Sequence, residues 1–147
     1  MIGQATHYGL NVQDMESALE FYRDRLGFEV DKRFPISEVQ SDIVGVEGVE
    51  GEIVFLDAGG FAIELIDYDA PENDVVHETA AGHDVGIAHI CITVDDVVGL
   101  YEELTPAVKF VNSPRTVGNG ADIAYARDPD GNYVELYEPP ADNSISD

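Results

Sequence analysis

Two histidines and two glutamates occupy matching positions in the two halves of this chain. His7 and His89 each lie near the start of a short apolar segment that leads directly into a helical pattern. Glu64 and Glu135 each follow a glycine-containing turn. Neutral imidazole nitrogens and carboxylate oxygens are ligands that proteins use for divalent ions. The four residues therefore predict a divalent-metal site, and with it an enzyme.

The match between the two halves extends beyond these four residues. At a shift of 82 positions (89 minus 7), T-H-Y-G-L-N-V lies over A-H-I-C-I-T-V, and an Asp follows two residues later in both copies. After that Asp, a favoured N-cap, apolar residues recur at the spacing of an amphipathic helix. At a shift of 71 positions (135 minus 64), D-A-G-G-F-A-I-E-L-I lies over D-P-D-G-N-Y-V-E-L-Y. The chain is therefore predicted to be a duplication in which the first copy has extra residues somewhere between 31 and 52.

Each copy is predicted to contain one strand, one helix and three further strands. Short connections with Gly and Pro indicate hairpins between the last strands. The predicted strands are 6–12, 28–34, 52–57 and 61–68 in the first copy and 87–94, 108–112, 122–127 and 132–138 in the second, with helices at 14–26 and 96–104.

These elements define two modules with a linker between them. The first module is predicted to span 1–68 and the second 87–140. The stretch 69–86 is rich in acidic residues and contains Pro and Gly, which is typical of a linker. The last residues, 141–147, are polar and are expected to form a flexible tail.

Alternation along the strands places the candidate ligands on one kind of face. Successive side chains of a strand point to opposite faces. His7 therefore shares a small, polar face with Gly9 and Asn11, and the strand that carries His89 repeats this pattern. Both glutamates are flanked by large aliphatic residues that point the other way. We therefore expect all four side chains on a common concave surface, away from the helices.

The overall charge is strongly negative. Thirty acidic residues against seven basic ones give a formal net charge of -23, spread along the chain. Such self-repulsion destabilises a compact state in dilute buffer and is screened by salt. The composition therefore favours a halophilic source over an acidic mesophilic protein. Nucleic acid and anionic membranes are poor partners for this surface.

Size and cysteine content indicate a cytoplasmic protein. The chain has 147 residues, 44% of them hydrophobic, which suits one compact domain or two small halves that share a core. It has no apolar run of membrane-spanning length, and its first residues lack a secretory signature. Its one cysteine, Cys91, excludes an intrachain disulfide and suits a reducing compartment.

At these residues the chain resembles the vicinal oxygen chelate superfamily. This superfamily includes glyoxalase I, methylmalonyl-CoA epimerase, extradiol dioxygenases and the fosfomycin- and bleomycin-resistance proteins. The resemblance runs from H-Y-G-L-N-V-Q-D-M-E-S-A-L-E-F-Y-R-D-R-L-G-F to D-P-D-G-N-Y-V-E-L-Y-E. It implies an α+β fold of two tandem βαβββ modules, which form a cupped, incomplete eight-stranded barrel around a metal, and it implies a homodimer.

The ligand at each position separates the members of this superfamily. Glyoxalase I-like enzymes carry His, Glu, His and Glu in this order, which resembles His7, Glu64, His89 and Glu135. The resemblance implies a lyase or isomerase with one divalent ion per site, which would be Zn, Ni, Co or Mn. Its substrate would be a small molecule with vicinal oxygens that reacts through an enediolate. Glu135 or Glu64 would serve as both ligand and catalytic base.

Two other functions stay open. An extradiol dioxygenase would hold Fe with His7, His89 and Glu135, and Glu64 would be dispensable. A resistance protein would bind a small molecule without metal or turnover. Replacing Glu64 separates the two enzymes, because metal affinity should fall sharply for a four-ligand site and little for a three-ligand site.

Few basic side chains are placed to contact an anionic substrate. Arg115, in N-S-P-R-T, is the best candidate for an anion contact. Asn11 and Tyr125 are the other candidate substrate contacts. Glutathione and coenzyme A adducts are anionic, so the scarcity of basic residues argues against a large adduct. His77 and His83 are best explained as solvated loop residues, with a place at the entrance of the site as the alternative.

Overall fold

The computed structural model describes residues 1, 3–73, 75 and 79–141 of the chain. The chain divides into two compact units, Met1–Val76 and His77–Asp147. His77 and the predicted tail from residue 142 onward lie outside the described residues. No helix within the described ranges is long and apolar enough to cross a membrane.

The first unit is a four-stranded sheet covered by one helix. Its strands lie in the order β1-β4-β3-β2; β1 is parallel to β4 and the other neighbours are antiparallel. The extra residues of the first copy lie in the connection 36–49, which contains the short helix α2. The elements are β1 (His7–Val12), α1 (Met15–Leu19), a π-helical segment (Glu20–Arg25), β2 (Glu29–Pro35), α2 (Val39–Val44), β3 (Glu50–Asp57) and β4 (Ala62–Ala70).

The second unit repeats this arrangement. Its strands lie in the order β5-β9-β8-β6, and the first and last strands again pair in parallel. The predicted α+β class and the order strand, helix, strands are therefore confirmed. The elements are β5 (His89–Thr93), α3 (Val97–Leu104), β6 (Lys109–Phe110), β7 (Arg115–Thr116), β8 (Asp122–Arg127) and β9 (Tyr133–Glu138).

Two elements differ from their predicted form. The strand expected at 108–112 is split into β6 and β7, which both pair with β8. The residues V-N-S-P at 111–114 separate them, and Pro114 cannot donate to a strand ladder. The helix expected at 14–26 is α-helical only in its first part. Its second part is the π-helical segment Glu20–Arg25, after which the amide of Leu26 donates to the carbonyl of Phe21, five residues back, at 3.1 Å.

One face of each sheet packs against its helix, and we call the other the open face. Ile63 and Leu65 in the first unit and Val134 and Leu136 in the second are fully buried. Their burial alternates with the partial exposure of the residues between them. The predicted alternation is therefore present, and it turns both glutamates to the open face.

A carboxylate from the last strand of each unit holds the start of the helix. Asp67 of β4 accepts a hydrogen bond from the amide of Met15 at 2.8 Å, and Glu138 of β9 accepts one from Val97 at 2.8 Å. Asp67 lies three residues after Glu64, and Glu138 lies three residues after Glu135. Each helix is therefore anchored to the strand that carries the candidate glutamate ligand of its unit.

Candidate metal centre

His7 and Glu64 are in contact on the open face of the first unit. In the parallel pairing of β1 with β4, Gly9 lies opposite Glu64. His7, two residues before Gly9 on the same face, reaches the carboxylate diagonally, with His7 Nε2 3.2 Å from Glu64 Oε2. The His7 side chain is 43% exposed and that of Glu64 is 14% exposed. The pair therefore presents one nitrogen and one oxygen at a single accessible point.

Neighbouring residues hold this first pair in place. The other ring nitrogen of His7, Nδ1, lies 3.1 Å from Thr6 Oγ1. A Cβ at Gly9 would lie 3.3 Å from Glu64 Oε2, so glycine gives the carboxylate its space. Phe55, which pairs with Glu64 from β3, contacts the His7 ring edge-on with 5.6 Å between ring centroids.

The second unit contains an equivalent pair. His89 Nε2 lies 3.0 Å from Glu135 Oε2, and the two side chains are 45% and 14% exposed. Cys91 lies opposite Glu135, as Gly9 lies opposite Glu64. Burial and, to a smaller extent, the charge of Glu135 raise the pKa of the Cys91 thiol, which argues against a nucleophilic thiolate.

Tyr125 contacts both members of the second pair. Its hydroxyl donates to Glu135 Oε2 at 3.1 Å and lies 3.3 Å from His89 Nε2. Its ring meets the imidazole edge-on, with 5.2 Å between centroids. Burial and then the nearby Glu135 carboxylate raise the pKa of Tyr125 to about 12, so the phenol stays protonated and can donate. The sequence identified Tyr125 as a candidate, but its contact with the ligand pair was not predicted.

The register of the two hairpins shows which residues of their third strands are equivalent, which the sequence alignment did not show. Asp57 pairs with Ala62 in the first hairpin, whereas Arg127 pairs with Tyr133 in the second. The second turn is therefore one residue longer, and the third strands match at a shift of 70 positions (125 minus 55). As a result, Tyr125 occupies the position that Phe55 has in the first unit.

The remaining predicted contacts lie away from the two pairs or engage other groups. Asn11 is exposed on the open face of β1, two residues beyond Gly9. Arg115 lies in β7, on the side of β8 away from β9, and its Nη1 donates to the carbonyls of Ser113 and Pro114. The structure therefore brings Tyr125, but not Arg115, to the second pair.

Arg127 is engaged within its own unit. Its Nη2 donates to the carbonyl of Ala80 at 2.9 Å, and its guanidinium carbon lies 4.3 Å from the centre of the Tyr133 ring. His83 is exposed, as expected for a solvated loop residue.

Each unit presents one histidine nitrogen and one glutamate oxygen as candidate ligands. Among the residues that the structure describes, no three or more His, Cys, Asp or Glu side chains are grouped to hold a metal ion.

Comparison with known proteins agrees with the fold. The sequence model of the Glyoxalase/Bleomycin resistance protein/Dioxygenase superfamily matches residues 4–136, which include all four candidate ligands. The chain belongs to this superfamily. The resemblance to the vicinal oxygen chelate superfamily, predicted from the sequence, is therefore confirmed at the level of the superfamily.

Individual members of the glyoxalase superfamily are similar to this chain at modest identity. Methylmalonyl-CoA epimerase from Mus musculus is 32% identical over 65% of this chain and 48% of its own length. The chain thus spans about half the length of this mammalian relative. Lactoylglutathione lyase from Pseudomonas putida is 28% identical over 90% of this chain and 83% of its own. A glyoxalase family protein from Bacillus cereus has the same fold, with a TM-score of 0.87 at 21% identity over 96% of this chain and 97% of that chain.

Proposed function

We propose that this protein is a divalent-metal-dependent lyase or isomerase of the glyoxalase I type, with His7, Glu64, His89 and Glu135 as metal ligands. Its substrate would be a small molecule with two vicinal oxygens. The protein would be a cytoplasmic homodimer. The ion would be Zn, Ni, Co or Mn.

One observation carries this proposal: each unit presents a His–Glu contact at the same register position of its open face. The separations of 3.2 and 3.0 Å between nitrogen and oxygen suit a shared ion. Two ligand atoms that each lie about 2.1 Å from one ion are about 3.0 to 3.4 Å apart at octahedral or tetrahedral angles. A hydrogen bond gives a similar separation, so metal binding itself has to be measured.

The chemistry of the donor set also fits a divalent ion. Two carboxylates would neutralise the charge of the ion, and two neutral imidazoles would add no charge. The formal net charge of -23 attracts cations to the surface. The contact between Thr6 and Nδ1 of His7 leaves Nε2 as the nitrogen directed at Glu64. Such an outer contact is typical of a histidine that binds metal.

The bound ion and the residues around it would then have separate roles in the reaction. A bound divalent ion would supply Lewis-acid stabilisation of negative charge on the substrate oxygens. Glu64 or Glu135 would accept the proton that leaves the neighbouring carbon. The Tyr125 hydroxyl, through its bond to Glu135, would hold that carboxylate in one orientation. The names of the two relatives, lactoylglutathione lyase and methylmalonyl-CoA epimerase, support a lyase or isomerase reaction.

Elemental analysis tests the proposal directly. Protein purified in high salt, without a His-tag or added metal, should contain close to one Zn, Ni, Co or Mn ion per four-ligand site. Glu64→Gln and Glu135→Gln should each lower metal affinity strongly, because each removes an oxygen ligand. Glu103→Gln, an exposed carboxylate of α3, makes the same change of charge and should leave metal affinity unchanged.

Other outcomes favour the alternative functions. Iron that stays bound in Glu64→Gln would favour the extradiol dioxygenase and lead to assays with catechols and oxygen. A protein that contains no metal and takes up none on titration would rule out both enzymes and favour a binding protein. With a non-iron metal present, hemithioacetals and epimerisable thioesters are the substrates to assay.

A further inference from the structure

We propose that Arg127, Tyr133 and the carbonyl of Ala80 form an anchor that fixes the segment 79–84 on the open face of the second unit, and that this anchor positions the second His–Glu pair. The anchor acts on the pair through Tyr125 and supplies no ligand itself. This role rests on the proposed function, because it is a role in metal binding. It concerns the second unit alone.

The anchor is a group of hydrogen bonds around one carbonyl oxygen. The carbonyl of Ala80 accepts a hydrogen bond from Arg127 Nη2 at 2.9 Å and another from the Tyr133 hydroxyl at 3.1 Å. Arg127 Nη2 also donates to the Tyr133 hydroxyl, and its guanidinium group lies over the Tyr133 ring. The loop carbonyl thus has two donors from the sheet, which attach the segment to β8 and β9.

The segment itself is folded beside this attachment. The amide of Ala81 donates to the carboxylate of Asp84 at 2.8 Å, and the amide of Asp84 donates to the carbonyl of Ala81 at 3.0 Å. A Cβ added at Gly82 would lie 3.6 Å from Cζ of Tyr133, so the backbone passes close to the Tyr133 ring. The segment is therefore a turn that its own hydrogen bonds close and that lies against the anchor.

The strand register places the anchor next to the candidate ligands. Tyr133 lies opposite His89 in the parallel pairing of β5 with β9, and opposite Arg127 in the hairpin of β8 with β9. Val134 is buried on the helix side, so Tyr133 shares the open face with Glu135. Tyr133 therefore lies between His89 and Arg127 in one row of side chains across the open face.

Tyr125 connects the anchor to the pair. Its ring meets the Tyr133 ring edge-on, with 6.2 Å between centroids and 73° between planes. Its hydroxyl contacts Glu135 and His89. A Tyr133 ring that the anchor holds in one orientation limits the orientations open to Tyr125, and through Tyr125 those of the carboxylate. Side chains that orient a ligand in this way commonly affect metal affinity.

The first unit has no equivalent anchor among the residues described. By the register of the hairpins, Asp57 corresponds to Arg127 and Ala62 corresponds to Tyr133. The Asp57 carboxylate accepts a hydrogen bond from the amide of Gly59 in its own turn at 2.8 Å, and the methyl group of Ala62 can neither donate nor stack. A structural need shared by both copies of the fold therefore does not explain the anchor, which favours a role at the second pair.

Cobalt(II) tests the positioning role, because its visible absorption reports its coordination geometry. Tyr133→Phe removes the hydroxyl and keeps the ring, and Arg127→Lys keeps the charge but loses the planar group that stacks. Each variant of the full chain should bind Co²⁺ about fivefold more weakly, which is less than the effect of a direct partner of a ligand. The spectrum of the fully loaded protein should also change, whereas a loss of stability alone would leave it unchanged.

Limited proteolysis reports on the segment without any metal. In the metal-free protein, subtilisin should cut within 79–84 faster in both variants than in wild type, and mass spectrometry locates the cut. Tyr101→Phe is the matched control, because it removes the same hydroxyl from a ring of α3 that contacts Phe110. This variant should keep the wild-type cleavage rate, cobalt affinity and spectrum. Circular dichroism checks the fold of all three, and Arg127→Lys alone suffices if Tyr133→Phe does not fold.

The possible failures are distinguishable. Faster cleavage with unchanged cobalt affinity and spectrum would overturn the positioning role and leave the metal centre standing. Unchanged cleavage in the folded variants would show that the anchor does not hold the segment and would overturn the role as well. Wild-type protein that takes up no cobalt on titration would overturn the proposed function, and the positioning role with it.

Discussion

Phe55 and Tyr125 occupy the same register position in the two units and differ by one hydroxyl group. Each pairs across its hairpin with the glutamate of its unit and places its ring edge-on against the histidine. The Tyr125 hydroxyl also contacts both members of its pair. The duplicated site is therefore asymmetric: one His–Glu pair is held by a phenol, and the other faces a phenyl ring.

Tyr125→Phe makes the second pair resemble the first. The variant loses the hydrogen bond that orients Glu135, and partners of this kind commonly change metal affinity by tenfold or more. We therefore expect zinc affinity to fall by about tenfold, with a loss of about 1 kcal/mol in unfolding free energy. Competition with a chromophoric chelator measures the affinity. Equal affinity for wild type and variant would show that the hydroxyl does not position Glu135.

Gly9→Ala tests the space that the first carboxylate needs. The new Cβ would lie 3.3 Å from Glu64 Oε2, and the end of that side chain can shift away. The fold should persist while Glu64 moves relative to His7, so we expect a several-fold loss of metal affinity. Gly3→Ala is the control, because a Cβ there meets nothing within 4 Å. A variant that binds metal as tightly as wild type would contradict the requirement for glycine.

Asp67 and Asp14 should affect the pH dependence of stability in opposite directions. Burial is the main cause that raises the pKa of Asp67, so its ionisation costs stability as pH rises from the unfolded pKa through the folded one. Hydrogen bonds from Ser17 lower the pKa of Asp14, so its ionisation stabilises the fold, and that contribution is lost as pH falls through the folded pKa. The difference in unfolding free energy between variant and wild type should therefore change as pH rises from 3 to 7. It should shift in favour of the variant for Asp67→Asn and against the variant for Asp14→Asn.

Urea denaturation of the three proteins at both pH values, in high salt, measures these differences. Asn keeps an acceptor for the amide of Met15 in the first variant and for that of Ser17 in the second. The comparison therefore isolates the charge. The same direction of change in both variants would refute the assignment of opposite pKa shifts.

Salt should stabilise the folded protein. The formal net charge of -23 creates repulsion that salt screens within about 10 Å at 0.1 M and within about 3 Å at 1 M. Exposed ion pairs such as that of Arg33 with Glu52, at 2.7 Å, are weakened by salt but contribute little. The urea midpoint should therefore rise between 0.1 and 2 M KCl. A midpoint that falls would show that ion pairs outweigh repulsion and would argue against a halophilic source.

The sequence by itself determined which side chains share a face within each strand. Alternation of side chains is a local property of an extended backbone, so it needs no tertiary information. Ile63 and Leu65 on either side of Glu64, and Val134 and Leu136 on either side of Glu135, were enough to turn both glutamates to the open face. The duplication added the expectation that each half carries one histidine and one glutamate.

The tertiary structure decided how neighbouring strands align and which residues contact the two His–Glu pairs. Register between strands depends on the length of each turn and on packing across the sheet, and a difference of one residue shifts every cross-strand partner. The longer second turn thus sets Tyr125, rather than its neighbour, beside Glu135, and makes Phe55 its counterpart. The stacking of Phe34 on Phe55 joins strands that are distant in sequence, so no local pattern could indicate it. For the same reason, the sequence placed Arg115 among the substrate contacts, while the strand order puts it beyond β8, with its side chain bound to its own loop.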